Sequence, residues 1–238
     1  MRTVTEGILR KLKKYALDAL FPPRCVQCKE LIEDQNRFLC QKCWEMIVLN
    51  SAFVCPRCGA RNTTPTPCHK DPPFTLAPAS YFHEPIPSLI HHYKYKGLTN
   101  IERLLSAILI TYCAHLSWDI SSYCLIPIPL HSSKRRTRGF DHAYDMAHTV
   151  SSYFDIECLA HNLIRTRATK PQAQQKGELA RMKNVYNCFA LKNPKSVAKK
   201  NIILLDDVCT SGATLMQAVR VLKSAGATRI VALVVAKA

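Results

Sequence analysis

The sequence predicts an α/β protein, built on a parallel sheet with helices on both faces and preceded by a small cysteine-rich module. Three observations carry that expectation. From about Tyr81 onward, short apolar runs alternate with segments of helical period, an order that requires parallel strands joined by crossover helices. One of those runs, Ile202-Ile203-Leu204-Leu205, leads through Asp206-Asp207 and a Thr/Ser/Gly loop into a helix. Seven of the 12 cysteines crowd between residues 25 and 68, in Cys-x2-Cys pairs that suit metal ligation in a reducing compartment better than a disulfide scaffold.

At 238 residues the chain can bury one full domain plus a small appendage. Three divisions are expected: an amphipathic N-terminal helix over 1–22, the cysteine-rich module over 23–75 and the α/β domain over 76–238. Lys and Arg number 33 against 17 Asp and Glu, a formal charge of +16. The excess is clustered. Residues 165–200 hold ten basic residues and one acid, Glu178, and Lys134-Arg135-Arg136-Thr137-Arg138 form a second knot. Clustering on this scale points to a polyanionic partner, nucleic acid or an anionic membrane surface; a merely solvated face is the alternative. The longest uncharged apolar stretch, Leu104 to Trp118, has 15 residues and includes His115, so it suits a buried helix and not a membrane span. The N-terminus has neither the apolar core nor the small-residue cleavage site of a signal peptide. With the cysteine usage, this predicts a cytoplasmic protein.

Taken in order, residues 5–20 put Ile8, Leu9, Leu12, Tyr15, Ala16 and Leu20 on one side of a helix and Arg10, Lys11, Lys13 and Lys14 on the other, with Phe21-Pro22-Pro23 as the stop. Such a helix packs on its own protein or lies on anionic lipid. Cys25-x2-Cys28-x11-Cys40-x2-Cys43 supplies four thiolates in two knuckles, and residues 29–39 are long enough for a hairpin that brings the knuckles together. That donor set predicts a structural zinc ion supplying most of the folding free energy of a segment with little core. A third knuckle, Cys55-Pro56-Arg57-Cys58-Gly59, has an incomplete partner: Cys68 is present, with His69 or Asp71 as fourth ligand. A second zinc ion and a site without metal both fit. Pro65, Pro67, Pro72 and Pro73 mark a linker or an extended crossing to the α/β part. There, a helix is expected from about Asn100 to His115, a strand over Cys124 to Leu130 that runs into a proline-shaped loop, and a helix ending near Phe154. Strands are expected over Leu159–Ile164, Cys188–Leu191 and Ile230–Val235, and the stretch from Arg165 to Asn184 shows no clear period. The loops after Leu130, Ile164 and Leu205 are expected to converge outside the carboxyl ends of the strands, where such sheets bind ligands.

The stretch from Ile202 to Leu215 carries the most chemistry. An apolar run of this kind is a strand buried on both faces, and Leu215 to Lys223 has the spacing of a helix closed by Gly226. A polar glycine loop at a helix N-terminus binds anions through backbone N–H groups and the helix dipole. Two carboxylates beside it would repel a bare phosphate but suit a ligand that also brings hydroxyl donors. The stretch therefore reads as a ribose 5-phosphate cradle.

The same residues resemble the phosphoribosyl-pyrophosphate (PRPP) signature of type I phosphoribosyltransferases: apolar strand, two acids, an apolar residue and a Thr/Ser/Gly loop. The resemblance implies that Asp206 and Asp207 hold ribose hydroxyls and that the PRPP contacts continue through Val208, Cys209, Thr210, Ser211, Gly212, Ala213 and Thr214. Taken whole, the chain resembles the ComF/GntX family of competence-associated proteins, in which a zinc ribbon precedes a type I phosphoribosyltransferase-like domain. The likeness rests on the knuckles, on His91-His92-Tyr93-Lys94, on Arg165 to Gln172 with Arg181, Asn184 and Phe189, and on Arg138-Gly139-Phe140-Asp141, where the family usually reads Arg-Gly-Phe-Asn. It departs at Asp141 and at the missing cysteine near Asp71. It implies a factor in natural transformation that binds PRPP with Mg²⁺ and handles incoming single-stranded DNA in the cytoplasm. Such a factor is either free or peripheral at the inner membrane, beside other DNA-uptake proteins. Contacts to pyrophosphate fall to Pro129, Leu130, Arg135, Arg136 and Arg138, and contacts to DNA to Lys134, Arg135, Arg136, Arg138, Arg165, Arg167 and Lys170. Tyr93, Tyr95 and Phe140 lie beside basic residues, as stacking platforms or as ordinary core. Two other functions stay open: an active phosphoribosyltransferase of nucleotide salvage with an unknown acceptor, and a zinc-dependent adaptor whose PRPP fold is a relic. No base pocket is evident, and the zinc module stands where a nucleobase hood would be.

Overall fold

A computed structural model describes residues 22–32, 38–70, 73–116, 118–169 and 177–238. The predicted N-terminal helix, Asp71 and Lys170 lie outside them, as does part of the predicted zinc hairpin. The elements are α1 (Gln41–Glu45), β1 (Phe53–Val54), β2 (Arg61–Asn62), β3 (Thr75–Tyr81), α2 (Ile86–Tyr95), α3 (Ile101–His115), β4 (Tyr123–Pro127), α4 (Ser132–Arg138), α5 (His142–Phe154), β5 (Leu163–Arg165), α6 (Glu178–Val185), β6 (Phe189–Leu191), β7 (Asn201–Cys209), α7 (Ala213–Ser224) and β8 (Ile230–Lys237).

The main sheet has the order β2-β1-β3-β8-β7-β4. Strands β3, β8, β7 and β4 are parallel, and β1 and β2 extend the edge antiparallel. Alternation along the strands builds two cores. Ile203 and Leu205 face one side with Leu125, Val231 and Leu233, covered by Leu89 of α2, Leu105 and Leu109 of α3 and Met146 of α5. Ile202 and Leu204 face the other with Ile126 and Ala232, covered by Leu215, Val219 and Leu222 of α7. Each such side chain stabilises the sheet by about 1.5–3 kcal/mol relative to exposure, which is why the four-residue run has no polar position.

Several expectations are corrected. β7 does not stop before the acids. It runs through them to Cys209, because β8 reaches Lys237 and keeps pairing, Asp206 opposite Val234 and Cys209 opposite Lys237. The parallel sheet begins earlier than Tyr81, with β3, whose neighbours are β8 and β1. The strand placed over Leu159–Ile164 is reduced to β5, which pairs antiparallel with β6 in a separate two-stranded ribbon; only Cys158 bridges to Leu125 of the main sheet. The basic knot coils into α4, closed by Gly139 at φ 85°, a left-handed turn in which glycine costs nothing. The aperiodic stretch contains α6. The cysteine-rich module packs against the α/β part. Val54 of β1 pairs with Leu76 of β3, and Cys25, Val26, Leu39 and Cys43 share the core of α2 and α3. Ser88 on α2 donates to Gln27 Oε1 at 2.6 Å, a further tie between the cysteine-rich module and that helix.

Candidate functional site

The site is built where β7 ends. Neighbouring residues of a strand point to opposite faces, so Asp207 shares the face of Ile203 and Leu205, and Asp206 that of Ile202 and Leu204. Asp207 thereby meets α2 and α5. Its Oδ2 is ion-paired with Lys94 and lies 3.5 Å from His142 Nε2, while its Oδ1 accepts from the Val208 N–H at 2.8 Å. Asp206 Oδ1 accepts from the Asp207 N–H at 2.9 Å. An oxygen of each carboxylate and a ring nitrogen of His142 lie within 4.8 Å of one another.

Two carboxylates this close and this buried do not share the same ionisation. Burial and the charge of Asp207 push Asp206 well above the usual carboxylate range. Burial pushes Asp207 the same way, but the Lys94 ammonium outweighs it and holds Asp207 below that range. His142 is driven down to about 3, chiefly by burial, so the ring is neutral. Arg138 Nη1 lies 2.9 Å from His142 Nδ1 and can only donate. Nδ1 is therefore the acceptor and the ring proton sits on Nε2, facing Asp207.

The Thr/Ser/Gly loop follows. Gly212 adopts φ 73° at the N-cap of α7, and this left-handed backbone turns the chain from strand into helix. Thr210 is exposed, and Ser211, Gly212, Thr214 and Val208 are half-buried, while Cys209 and Ala213 are buried. The first N–H groups of α7 open toward this loop and have no partner within the helix.

The loop after β4 carries Pro129 and Leu130, both half-buried. The Leu130 N–H donates to Asp141 Oδ2 at 3.3 Å, so Asp141 serves there as an acceptor. Burial raises Asp141. Burial lowers the pKa of Lys134 on α4, and the charges of Arg165, Arg138 and Lys94 add to the shift. Arg165 of β5 holds its guanidinium 5.0 Å over the Phe189 ring. Arg135 and Arg136 are exposed; Arg167 is exposed and donates to the Tyr186 carbonyl at 2.7 Å. Arg138 lies 5.3 Å over the Tyr95 ring. Tyr93 is no stacking platform: it is buried, stacks on Phe140 at 5.2 Å and donates to Asp145 at 3.3 Å. Tyr95 remains exposed.

The cysteines form two clusters. One ligand atom from each of Cys25, Cys28, Cys40 and Cys43 falls within 4.8 Å of the others, and the same holds for Cys55, Cys58, Cys68 and His69. The Cys28–Cys40 and Cys58–Cys68 sulfurs are 3.5 Å apart. A tetrahedral ion with roughly 2.3 Å bonds to sulfur sets its ligands roughly 3.8 Å apart, so both donor sets fit zinc. Burial would raise Cys25 and Cys55, but backbone N–H donors of the knuckles outweigh it and bring them to about 6 and about 7. His69, one of two alternatives in the sequence, completes the second set.

Sequence reasoning missed His142 as a site residue and met Lys94 only as part of a family pattern. The signal for His142 was its spacing of four from Arg138; nothing local signals that the last turn of α2 reaches β7.

Residues 16–70 match the double zinc ribbon domain, and residues 138–238 match the phosphoribosyl transferase domain. The chain is similar to the DNA utilization protein YhgH of Shigella flexneri, at 27% identity over 165 residues, covering 68% of this chain and 71% of that protein. It is similar to Competence protein F of Haemophilus influenzae, at 27% identity over 156 residues, covering 63% of this chain and 67% of that one. Competence protein ComFC of Bacillus subtilis is 34% identical over 108 residues, covering 44% of this chain and 40% of its own. No described helix is long and apolar enough to cross a membrane.

The His142 assignment is testable in solution. Nitrogen-15 NMR of the ring should show the Nε2–H tautomer and no protonation from pH 8 down to about 5, since the folded-state value is lowered from 6.5 to about 3. A midpoint near the ordinary value would contradict it.

Proposed function

This chain belongs to the ComF family, and from that premise we propose that it is a competence-related protein that binds PRPP at the end of β7 and handles single-stranded DNA over its basic face. The observation that carries the reading is the junction of the Asp206-Asp207 pair with the Gly212 loop and the N-terminus of α7, under a rim of cations. Ribose hydroxyls need acceptors, a 5-phosphate needs N–H donors, and a pyrophosphate needs positive charge. These residues offer a candidate for each, and relatives named for competence and for DNA utilization support the cellular role.

In this reading Asp206 is the principal ribose acceptor. Its parity on the strand turns it toward the phosphate loop, and fewer protein donors occupy it than Asp207. Asp207, fixed by Lys94, His142 and the Val208 N–H, shares the hydroxyls through its remaining lone pair. The backbone from Cys209 to Ala213 and the hydroxyls of Thr210, Ser211 and Thr214 hold the 5-phosphate. Lys134, Arg138 and Arg165 face the pyrophosphate. The Mg²⁺ expected with PRPP does not fit at the carboxylate pair, because the Lys94 ammonium already neutralises Asp207 there. The concentrated basic charge favours a DNA-handling role over salvage chemistry, which needs no such field.

The double change Asp206→Asn, Asp207→Asn keeps the shape but removes the ionised acceptor at Asp207 and the carboxyl at Asp206 that ionises as it takes up the ribose hydroxyls; charge-assisted bonds are worth about 1.5–3 kcal/mol each, so PRPP should bind at least about 100-fold more weakly by calorimetry. Unchanged affinity in the folded variant would refute the ribose assignment.

For DNA, Arg135 and Arg136 are the cleaner probes because Arg138 is committed to His142. With both changed to Ala, the slope of log affinity against log salt for an oligodeoxynucleotide should flatten by about 1.4, the share of two phosphate contacts. An unchanged slope moves the contact off α4.

Each ribbon holds one structural zinc ion in this reading. Elemental analysis should give two zinc ions per chain, and Cys40→Ser with Cys43→Ser should remove one while lowering the melting temperature. Full retention of both would sink the assignment of the first cluster.

A further inference from the structure

Two adjacent carboxylates at a buried strand end need a positive charge, and in many phosphate-handling sites a divalent ion would supply it. Here the place is taken. The Lys94 ammonium contacts Asp207 Oδ2, with the carboxylate side chain only 7% exposed and the lysine side chain 20% exposed. The three ligand atoms from His142, Asp206 and Asp207 lie within 4.8 Å of one another, a span that a divalent ion with bonds of roughly 2.0–2.6 Å could bridge.

Lys94 is held there by its neighbours on α2. Tyr93, buried beside it, stacks on Phe140 and donates to Asp145, so the last turn of the helix is pinned to α5. His142 cannot substitute as the cation, because the Arg138 guanidinium occupies Nδ1 as donor. A flexible surface lysine would need to be ordered in order to pair; this one is delivered by a helix whose preceding residue, Tyr93, is locked in the core.

We propose that Lys94 is the built-in cation of the Asp206-Asp207 pair. It occupies the position that a divalent ion would otherwise take, so that recognition of a ribose at this site needs no metal on the carboxylates. The identity of the sugar ligand rests on the PRPP reading above; the cation assignment does not.

The test uses the zinc-loaded full chain and two probes. The first is Mn²⁺ alone, titrated in and followed by electron paramagnetic resonance. Wild type should take up no Mn²⁺ at these carboxylates. Lys94→Met should gain one Mn²⁺ at least about tenfold more tightly than wild type, and a further Asp206→Asn change should abolish the gain. Lys94→Arg, which keeps the charge, should behave as wild type. The second probe is ribose 5-phosphate, which lacks a pyrophosphate to bring its own metal. Its affinity for wild type, measured by calorimetry, should agree within about twofold in Mg²⁺-free buffer, passed over a chelating resin before the protein is added, and in excess Mg²⁺. This arm needs no variant to fold. A wild-type Mn²⁺ site that Asp207→Asn removes, no gain in folded Lys94→Met, or a loss of about tenfold in sugar affinity when Mg²⁺ is left out of the buffer would each overturn the assignment. If the Mn²⁺ arms come out as expected while neither ribose 5-phosphate nor PRPP binds, the cation assignment stands and the PRPP reading falls.

Discussion

The structure depends on one electrostatic constraint: two neighbouring carboxylates at the end of a strand buried on both faces. Like charges a few ångströms apart in a poorly solvated place cannot both stay ionised without help. The fold answers with strand parity and a lysine. Parity sends Asp207 to the face of α2 and α5, where Lys94 neutralises it and His142 lies against it. Asp206 is left toward the loop, shifted upward by burial and by its neighbour. The pair is thus asymmetric before any ligand arrives. One acid is fixed by the protein, and the other is available.

That asymmetry ties distant parts of the chain together through α2. Ser88 near its start bonds Gln27 between the first two knuckle cysteines, Tyr93 near its end bonds Asp145 on α5, and Lys94 pairs with Asp207 on β7. The helix therefore touches the zinc-ribbon region, the helical layer and the carboxylate pair. A cysteine-rich module that shares a core with α2 and α3 is not an appendage on a linker. Its folding bears on where the Lys94 ammonium stands, because a shift of α2 by one turn, about 5.4 Å, would withdraw the charge from Asp207 entirely.

What the sequence disclosed and what it hid follow one division. The run Ile202–Leu205, the glycine loop and the helix after it were legible because each is encoded locally, by apolar period and by one residue that tolerates a positive φ. The knuckles were legible for the same reason: ligand spacing is a local property. The length of β7 was not, since it is set by how far β8 runs alongside, some 30 residues later. Nor was the fate of β5, whose partner β6 is separated from it by the basic stretch. Lys94 and His142 were hidden most deeply, because a contact between three elements is a property of packing and leaves no period in the chain. Tyr93 shows the same limit in reverse: beside lysine and histidine it resembles a stacking platform, yet it is core.

The basic face carries the last step. Burial, and after it the charges of Arg165, Arg138 and Lys94, lowers Lys134, and a protein keeps such a cluster at a cost in stability. Within it the cations are not equivalent. Lys94 is committed to Asp207 and Arg138 to His142, so neither is free to follow a mobile polyanion. Arg135 and Arg136, one turn back on the same α4, face solvent. On the proposed reading, the inward members of the cluster meet a small phosphorylated ligand and the outward members meet a nucleic-acid backbone, with α4 carrying both. Two anionic ligands on one short helix share a field. Each must then alter the affinity of the other by the same factor, whichever binds first. The sign follows from the charges. Anions that draw on one cluster oppose each other unless one of them orders the helix for the other, so competition between PRPP and DNA is the default that the geometry imposes and cooperation would require α4 to move.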